Sequence, residues 1–217
     1  MRTSRRFLLA ALLLTGVAGA TLDRGVVAQQ APAKPMPEKT AVAIFAGGCF
    51  WCMEPPFDAI DGVVSTTSGY IGGMRVNPNY KDVSAGTTGH TEALKIVYDP
   101  TKVNYDKLLQ VFWRNHDPLT ADGQFCDKGS QYRPGVFFAT EDEKKLAEAQ
   151  KAALDQSGRF KTKIVTEITQ ATTFYPAEDY HQDYYTKNPL RYKYYSTSCG
   201  RAKRLKELWG DEAGGQS

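Results

Sequence analysis

The chain has 217 residues, of which 41% are hydrophobic and 24% are charged, and its formal net charge is +3. This moderate charge is not gathered into a basic stripe, which argues against nucleic acid as a partner. Four cysteines are present. A chain long enough to bury a sizeable core does not need disulfide stapling, so the few cysteines favour thiol chemistry over a disulfide framework.

The N-terminal segment has the order of features that is typical of an export signal. Three arginines in Met1–Arg6 precede an apolar run over Phe7–Ala18, and small residues follow. The apolar run is shorter than the ~20 residues that span a bilayer. We therefore predict an export signal over residues 1–28 and a periplasmic or extracellular location. An uncleaved membrane anchor is the alternative, and Arg5-Arg6 is compatible with twin-arginine export.

The rest of the chain divides into a spacer, one domain and a short tail. Residues 29–39 are rich in proline, glutamine and alanine, which predicts a disordered linker. Residues 40–212 are numerous enough for one well-buried core, and we expect this domain to be a monomer. Residues 213–217 are predicted to form a disordered tail.

The first predicted strand leads directly to the first helix. Thr40–Ala46 is an apolar run rich in β-forming residues, which predicts a buried central strand. A glycine pair follows and predicts a turn. Because a helix tolerates Pro55 and Pro56 only in its first turn, we expect Cys49 at or just before the helix N-terminus. Free N–H groups and the positive dipole end favour a thiolate there, so the pKa of Cys49 should be low.

Further along the chain, strands and helices follow one another irregularly. The predicted strands are Val63–Gly69, Glu92–Tyr98, Gly135–Ala139 and Lys163–Ile168. The predicted helices are Tyr105–Asn115, Glu141–Gln156, Asp179–Lys187 and Arg201–Trp209, and irregular loops are expected over Gly72–Gly89 and Pro118–Arg133. The absence of a regular strand–helix–strand spacing predicts an α+β fold, a two-layer sandwich of a mixed sheet with flanking helices.

Cys49 and Cys52 form a C-x-x-C pair that encloses two large aromatic residues. This spacing is typical of a redox couple or of half a metal site. Phe50 and Trp51 are poor metal ligands and instead indicate aromatic walls around a thiol. The sequence therefore predicts a nucleophilic thiol in an aromatic pocket, and no metal.

Glu92 is the predicted proton donor. Alternation along its strand places it on the same face as Leu94, Ile96 and Tyr98, which we expect to point into the core. Burying an ionised carboxylate is costly, so the pKa of Glu92 should rise and its carboxyl should act as a general acid near neutral pH. The alternative is a glutamate at a strand end that reaches water or pairs with a lysine.

Two irregular segments each present a tyrosine. Tyr80 follows Asn77-Pro78-Asn79, and Tyr132 lies in the segment 129–133. Loops carry function more often than their length suggests, and the two hydroxyls could hold a polar oxygen. The alternative is a structural role, since the chain contains 12 tyrosines.

Five segments resemble motifs of the peptide methionine sulfoxide reductase A family. They are GCFW at 48–51, NPNY at 77–80, GTTGHTE at 86–92, HDP at 116–118 and GSQYR at 129–133. The similarity covers about residues 41–210, and the motifs stand in the family order. The resemblance implies an α+β sandwich with a ferredoxin-like core, and an enzyme that reduces methionine-S-sulfoxide, free or in proteins, to methionine.

The resemblance assigns the sulfur side of the reaction to three consecutive residues. Cys49 would attack the sulfoxide sulfur and become a sulfenic acid. Phe50 and Trp51 would hold the methyl group that is bonded to the same sulfur.

The resemblance assigns the oxygen side to residues from separate segments. Glu92 would protonate the sulfoxide oxygen, and Tyr80 and Tyr132 would donate hydrogen bonds to it. His90 and Asp127 would support the pocket from its edge.

A second cysteine would condense with the sulfenic acid to form a disulfide. Cys52 is nearest in sequence and is the favoured candidate, Cys199 would need a mobile tail, and Cys126 would be close if Asp127 lies at the pocket. The sequence does not decide among these three cysteines. An external thioredoxin-like dithiol protein would then reduce the disulfide, so the resemblance implies no resident cofactor.

Two other functions fit parts of the sequence. A C-x-x-C pair between a strand and a helix fits a thioredoxin-like dithiol oxidoreductase. The four cysteines together could form a zinc-binding structural module, although Cys126 and Cys199 lack the close spacing that is usual for a second ligand pair. Insulin reduction distinguishes the first alternative, and a metal assay distinguishes the second.

Overall fold

The computed structural model describes residues 39–215. The predicted export signal, residues 1–28, lies outside the described residues. So does the predicted linker, except for Lys39. None of the helices between residues 39 and 215 is both long enough and apolar enough to cross a membrane.

The described chain forms eight strands and seven helices. The strands are β1 (Ala41–Ala46), β2 (Val63–Ile71), β3 (Thr91–Tyr98), β4 (Gly123–Gln124), β5 (Asp127–Lys128), β6 (Gly135–Phe138), β7 (Glu167–Gln170) and β8 (Tyr175–Pro176). The helices are α1 (Phe50–Asp58), α2 (Tyr80–Ser84), α3 (Tyr105–Arg114), α4 (Glu141–Gln156), α5 (Tyr184–Lys187), α6 (Pro189–Ser198) and α7 (Arg201–Trp209). Short 3-10 turns occur at Ser130–Tyr132, Asp179–His181 and Gly210–Glu212.

Six of the strands form one mixed sheet. Its order is β7-β6-β1-β3-β2-β8. The β6–β7 pair is parallel, and the other pairs are antiparallel. Strands β4 and β5 form a separate hairpin. The mixed sheet and its helices confirm the predicted α+β class.

The main core lies between one face of the sheet and the helices. It joins alternate residues of β1 and β3 to apolar residues of α1, α3, α4 and α7. The buried residues include Ala43, Phe45, Leu94, Ile96, Met53, Phe57, Leu108, Leu109, Phe112, Ala147, Leu205, Leu208 and Trp209. On β3, Glu92 lies on the same buried face as Leu94 and Ile96, as predicted.

Helix α1 begins where the sequence predicts, but the reason given for that start is wrong. Cys49 is the residue before the helix, and Pro55 and Pro56 lie inside it, beyond the first turn. The helix continues past them because Phe57 is fully buried in the core. Proline has no N–H, so these positions supply no helical donor to the carbonyls of Trp51 and Cys52.

Five other segments differ from the sequence prediction. Strand β7 begins at Glu167, because the chain before it makes other bonds: Ile164 N donates to Asp155 Oδ1 and Val165 N to the carbonyl of Pro118. The two predicted irregular loops contain α2 and the β4–β5 hairpin. Helix α6 and strand β8 were not predicted.

The described part of the predicted tail is held against α3. The Gly214 N–H donates to the carbonyl of Arg114, and Asn115 Nδ2 donates to the carbonyl of Gly214. Lys107 Nζ donates to the carbonyl of Gly215. Residues 213–215 are therefore bonded to the domain, although the prediction was a disordered tail.

Candidate active site

Cys49 caps the N-terminus of α1. The preceding Gly48 has a φ of +85°, and a Cβ there would lie 2.5 Å from the Gln124 side chain, so only glycine allows this tight approach. Cys49 and Cys52 are both free and buried. Their side chains are hydrogen-bonded to each other across the first turn of the helix.

The prediction of a low pKa for Cys49 is wrong. Burial raises the pKa of Cys49 well above its ordinary value, and the nearby Cys52 and Glu92 raise it further. The pKa of Cys52 is instead lowered to about 7, first by the hydrogen bond from Cys49 and also by the positive charge of Arg201. In the resting site Cys49 is therefore a neutral thiol beside a thiol that ionises near neutral pH.

Glu92 has the environment that the sequence predicts. Its side chain is buried, and Oε2 accepts a hydrogen bond from the backbone N–H of Phe50 at 3.1 Å. Burial raises the pKa of Glu92 to about 8, although the bond from Phe50 opposes the rise. This raised pKa favours the protonated carboxyl near neutral pH, and the bond from Phe50 fixes the carboxyl against the start of α1.

Aromatic side chains enclose the thiol pair. Phe50 is fully buried beside Tyr70 and His181. Trp51 stacks on Tyr184 with ring centroids 3.7 Å apart and planes 5° from parallel. The predicted aromatic walls are thus present, and Tyr184 extends them from α5.

His181 is a site residue that sequence reasoning missed. It accepts a hydrogen bond at Nδ1 from Trp51 Nε1 at 3.0 Å, and its ring lies 4.3 Å from that of Tyr80. Burial lowers the pKa of His181, so the ring is neutral. His181 therefore orients Trp51 and Tyr80. As one of three histidines in the chain, within an aromatic segment, it could have been singled out from the sequence.

Tyr80 and Tyr132 lie close enough to Cys49 and Glu92 for the charges of those groups to affect their pKa values. Burial raises the pKa of Tyr80 to about 12, and it also raises the pKa of Tyr132; in both cases Glu92 and Cys49 add to the rise. Both hydroxyls are therefore neutral donors. Tyr80 is fixed at the start of α2, where its N–H donates to Glu178 Oε1 at 2.8 Å.

His90 and Asp127, the two residues expected at the edge of the pocket, make different contacts. His90 accepts from the N–H of Gly73 at Nδ1 and contacts the carbonyl of Arg75 through Nε2, so it holds the loop that leads to Tyr80. Asp127 Oδ2 accepts a hydrogen bond from the hydroxyl of Tyr195 at 2.6 Å. Asp127 is close enough to Glu92 for its charge to raise the pKa of that carboxyl further.

Cys126 and Cys199 form a disulfide with their Cα atoms 5.0 Å apart. From the sequence, both were separate candidates for the second thiol, and this pair was not predicted. The bond joins the β4–β5 hairpin to the end of α6. It also occupies two of the four thiols that the zinc-binding alternative requires.

Helix α6 brings two further tyrosines to the thiol pair. The Tyr192 side chain is hydrogen-bonded to Cys52, and the Tyr195 side chain is hydrogen-bonded to Cys49. Sequence reasoning missed both residues because it did not predict the helix that carries them.

A cavity of about 780 Å³ opens beside Cys52. Its wall includes Pro55, Tyr192, Arg201 and Lys203. Cys49, Glu92, Tyr80 and Tyr132 do not contribute to this wall.

Comparisons with known proteins agree with this arrangement. The family model described as peptide methionine sulfoxide reductase matches residues 41–213. The peptide methionine sulfoxide reductase MsrA of Listeria monocytogenes is 54% identical over 172 residues, which cover 79% of this chain and 97% of that protein. The crystal structure of reduced Mxr1 from Saccharomyces cerevisiae is similar with a TM-score of 0.65 and 35% identity, over 72% of this chain and 90% of that chain. Methionine sulfoxide reductase A of Corynebacterium diphtheriae is similar with a TM-score of 0.64 and 35% identity, over 71% of this chain and 77% of that chain.

Proposed function

The chain belongs to the peptide methionine sulfoxide reductase family and reduces methionine sulfoxide to methionine; from this premise we propose that Cys49 is the attacking thiol, Glu92 the proton donor and Cys52 the second thiol. The observation that carries the proposal is the buried contact between the start of α1 and β3. There Glu92, a buried carboxyl with a pKa of about 8, accepts a hydrogen bond from the N–H of Phe50, the residue that follows the buried thiol of Cys49.

The first step transfers two electrons from one sulfur to the other. The Cys49 sulfur, once it has lost its proton, attacks the sulfoxide sulfur while Glu92 gives its proton to the oxygen. The attack forms a bond between the two sulfurs; the hydroxyl then passes from the substrate sulfur to the Cys49 sulfur as the sulfur–oxygen bond of the substrate and the sulfur–sulfur bond break, so that methionine leaves with the electron pair and Cys49 becomes a sulfenic acid. The substrate sulfur is reduced, Cys49 is oxidised, and Glu92 is left as a carboxylate that recovers its proton from solvent.

Substrate orientation follows from the positions of the apolar and polar groups. The methyl group packs between Phe50 and Trp51, and the oxygen points to Glu92, Tyr80 and Tyr132. With the attacking Cys49 sulfur as a third fixed position, one of the two configurations at the sulfur is favoured, and we assign the S epimer on the family resemblance. Neutral hydroxyls donate to the oxygen without removing the proton that Glu92 must supply.

The second step closes a disulfide between neighbouring thiols. The Cys52 thiolate attacks the Cys49 sulfenic acid, and hydroxide leaves and is protonated to water. Three observations support Cys52 as this thiol: it is hydrogen-bonded to Cys49, its pKa is lowered to about 7, and Cys126 and Cys199 are bonded to each other.

An external thioredoxin-like dithiol completes the cycle. It reduces the Cys49–Cys52 disulfide by thiol–disulfide exchange and becomes a disulfide itself. The cavity beside Cys52 supports approach of this dithiol to that sulfur. In this proposal all electrons pass through thiols, with no resident cofactor or metal.

The ferredoxin-like core belongs to the same proposal. The elements of this core follow one another along the chain in the order β1, α1, β2, β3, α3, β6. Within the sheet, the order of the four strands is β6-β1-β3-β2. This is the arrangement of a split β-α-β motif repeated twice, and it supports that core.

The location of the enzyme is also a proposal. Residues 1–28 contain charged, then apolar, then small residues, and this order supports export. We further propose that the exported enzyme is a monomer and that its substrates are oxidised methionines in exported proteins. Mass spectrometry of the protein from cell fractions tests this: we expect a chain that lacks the signal, outside the cytoplasm. A full-length cytoplasmic chain would contradict export.

A turnover assay with separated epimers tests the activity. With dithiothreitol as reductant, we expect methionine from the S-sulfoxide of a short peptide and from free methionine-S-sulfoxide. We expect no product above background from the R epimers, and none from either epimer with Cys49→Ser. Equal turnover of both epimers, or turnover by Cys49→Ser, would contradict the proposed substrate geometry or the attacking thiol.

A further inference from the structure

We infer that two carboxyls of α1, Glu54 and Asp58, hold Tyr184 against Trp51 and so determine how closely the pocket fits the methyl group of the substrate. The inference rests on the proposed function, in which Trp51 packs against that group. Glu54 and Asp58 touch neither the substrate nor the reacting atoms in this assignment. They are therefore positioning residues, and they act through the ring of Tyr184.

The indole of Trp51 is fixed from two directions. Tyr184 stacks on one face of it, with ring centroids 3.7 Å apart, and Nε1 donates to Nδ1 of His181. No methyl group fits between two rings at that separation, because carbon atoms in contact are themselves ~3.5–4 Å apart. The substrate methyl must therefore contact the other face or the edge of Trp51, and Tyr184 keeps the indole from turning away from it.

The two carboxyls bond to the residues on either side of Tyr184. Glu54 and Asp58 lie one turn apart on α1, so they share a face of the helix. Asp183 precedes Tyr184, and its N–H donates to Oε1 of Glu54 at 3.4 Å. Tyr185 follows, and its hydroxyl donates to Oδ2 of Asp58 at 2.9 Å. The helix that carries the indole thus also holds the chain on both sides of the ring that stacks on it.

Glu54 joins three elements in the interior. It is 1% exposed, and its Oε1 also accepts from the hydroxyl of Ser68 on β2 at 2.7 Å. The backbone of Ser68 is bonded to the Gln182 side chain, which accepts from the N–H and donates to the carbonyl, each at 2.9 Å. Because the bond from Asp183 is long, Ser68 and Gln182 supply the firmer part of this junction. The two residues before Tyr184 are therefore fixed to β2 and α1 at the same point.

The backbone before Tyr184 has a conformation that needs support from its surroundings. Asp183 has a φ of +52°, in the left-handed region that is uncommon for residues other than glycine. Such a residue persists where the surrounding contacts impose its conformation. The Asp183 carbonyl accepts from the N–H groups of Thr186 and Lys187 at α5. We expect this turn to relax when its bond to Glu54 is lost, which would move Tyr184, the first residue of α5.

Glu54 is an unusual residue to bury for packing alone. Its second oxygen, Oε2, has no hydrogen-bond partner among residues 39–215, and burial raises the pKa of Glu54 to about 7. Burying a carboxyl with an unpaired oxygen costs free energy, whereas an apolar side chain of similar size would avoid that cost. The bonds from Ser68 and Asp183 are the contacts that distinguish the carboxyl from such a side chain, and both help to place Tyr184.

A competition between two sulfoxides tests the inference. Wild type and variants receive equal concentrations of methionine-S-sulfoxide and ethionine-S-sulfoxide, which carries an ethyl group in place of the methyl group, with dithiothreitol as reductant. The ratio of the two products gives the ratio of the kcat/KM values, and it does not depend on how much of the protein is folded. An apolar pocket typically discriminates one methylene ~10–200-fold, so we expect wild type to favour the methyl substrate at least ~10-fold.

Substitutions of Glu54 separate hydrogen bonding from packing. Glu54→Leu should lower the ratio about fivefold, because leucine fills the space but accepts no hydrogen bond. Glu54→Gln should keep the wild-type ratio, since its carbonyl oxygen still accepts from Ser68 and Asp183. Asp61→Leu is the matched control: it removes a carboxyl just after α1, whose side chain is 91% exposed, and it should also keep the ratio.

Other variants keep the test decisive if Glu54→Leu does not fold. Tyr185→Phe removes one hydroxyl, which donates to Asp58, and should lower the ratio about twofold. Tyr194→Phe is its control, because Tyr194 is 78% exposed, and it should keep the ratio. Tyr184→Leu removes the stacked ring and should lower the ratio as much as Glu54→Leu. The double variant should lower it no further, because both changes act through one contact.

Three results would overturn the inference. The first is a Glu54→Leu or Tyr185→Phe ratio equal to that of wild type, even if total turnover falls, since this indicates a structural role only. The second is a Glu54→Gln ratio as low as that of Glu54→Leu, which would assign the effect to charge rather than to hydrogen bonds. The third is a wild-type ratio near one, which would show that the pocket does not select the methyl group. Failure of the wild-type enzyme to form methionine would instead refute the proposed function.

Discussion

The thiol of Cys49 is subject to two opposing electrostatic effects. A helix N-terminus stabilises a negative charge by about 0.3–1 kcal/mol, and by up to about 2 kcal/mol in favourable partly buried geometry. Removing an ion from water costs several kcal/mol even after the protein relaxes. Burial is therefore the larger effect at Cys49, and it raises the pKa of this thiol. The charge becomes available only when a base removes the proton.

Glu92→Gln should slow the chemical step without removing the substrate pocket. An amide fills the same space but is a far weaker proton donor, and loss of a general acid typically costs ~10²–10⁴-fold in rate. We expect single-turnover methionine formation to fall about 100-fold at neutral pH, with little change in KM. The wild-type rate should itself decline above about pH 8, because Glu92 then loses its proton. A Glu92→Gln rate equal to that of wild type would show that Glu92 is not the general acid.

The same substitution should change the pH dependence of stability. The native pKa of Glu92 is raised to about 8 from an ordinary value of 4.5, so the native state binds more protons than the unfolded state between these values. By linkage, the contribution of Glu92 to stability is lost as pH rises through that window. The Tm of Glu92→Gln relative to wild type should therefore increase from about pH 5 to pH 9, and a constant difference would contradict the buried carboxyl.

At the level of elements, α6 depends on tertiary bonds more than on its own sequence. It contains several tyrosines and hydroxyl residues, which have modest helix propensity, and none of its residues is buried. The bond between Cys199 and Cys126, and the bond between Tyr195 and Asp127, attach it to the β4–β5 hairpin. This helix could not be predicted because its stabilising contacts are distant in sequence.

Removing the disulfide should destabilise the domain and release α6. The bond closes a loop of 73 residues, for which the chain-entropy model gives about 4 kcal/mol. We expect Cys126→Ser, Cys199→Ser and the double variant to lose a similar free energy of unfolding in urea. Single-turnover rates should also fall in all three, because α6 carries Tyr192 and Tyr195, which lie near the thiols. A double variant as stable as wild type would show that the disulfide does not hold the fold.

Elements with local signals were predicted well. Helix α4 has the predicted bounds. Its Thr140–Glu143 capping box and its charged surface explain why the sequence of this segment alone was enough to predict the helix. Strand β7 was predicted too early because its start is set by pairing with β6 rather than by its own composition. The sequence prediction placed Pro55 and Pro56 in the first turn of α1. This was wrong because burial of Phe57 outweighs the cost of proline inside the helix.

At the level of the whole molecule, the site combines groups from a local motif with groups from distant segments. Cys49 and its aromatic neighbours lie on one turn of α1, and Glu92 lies on a strand with clear alternation, so both were accessible to sequence reasoning. Tyr192 and Tyr195 lie near the thiols, and His181 contacts Trp51, only because the C-terminal segment folds back over α1. No local pattern records that return, which is why the sequence placed these side chains nowhere near the site.

Trapping the first oxidised state of the enzyme tests the central claim most directly. Reduced Cys52→Ser, which lacks the second thiol of the pair, is mixed with excess peptide methionine-S-sulfoxide and no reductant, then analysed by mass spectrometry after trapping with dimedone. We predict one methionine per enzyme molecule and one dimedone adduct, on Cys49. Formation of no methionine, or an adduct on any residue other than Cys49, would contradict the account.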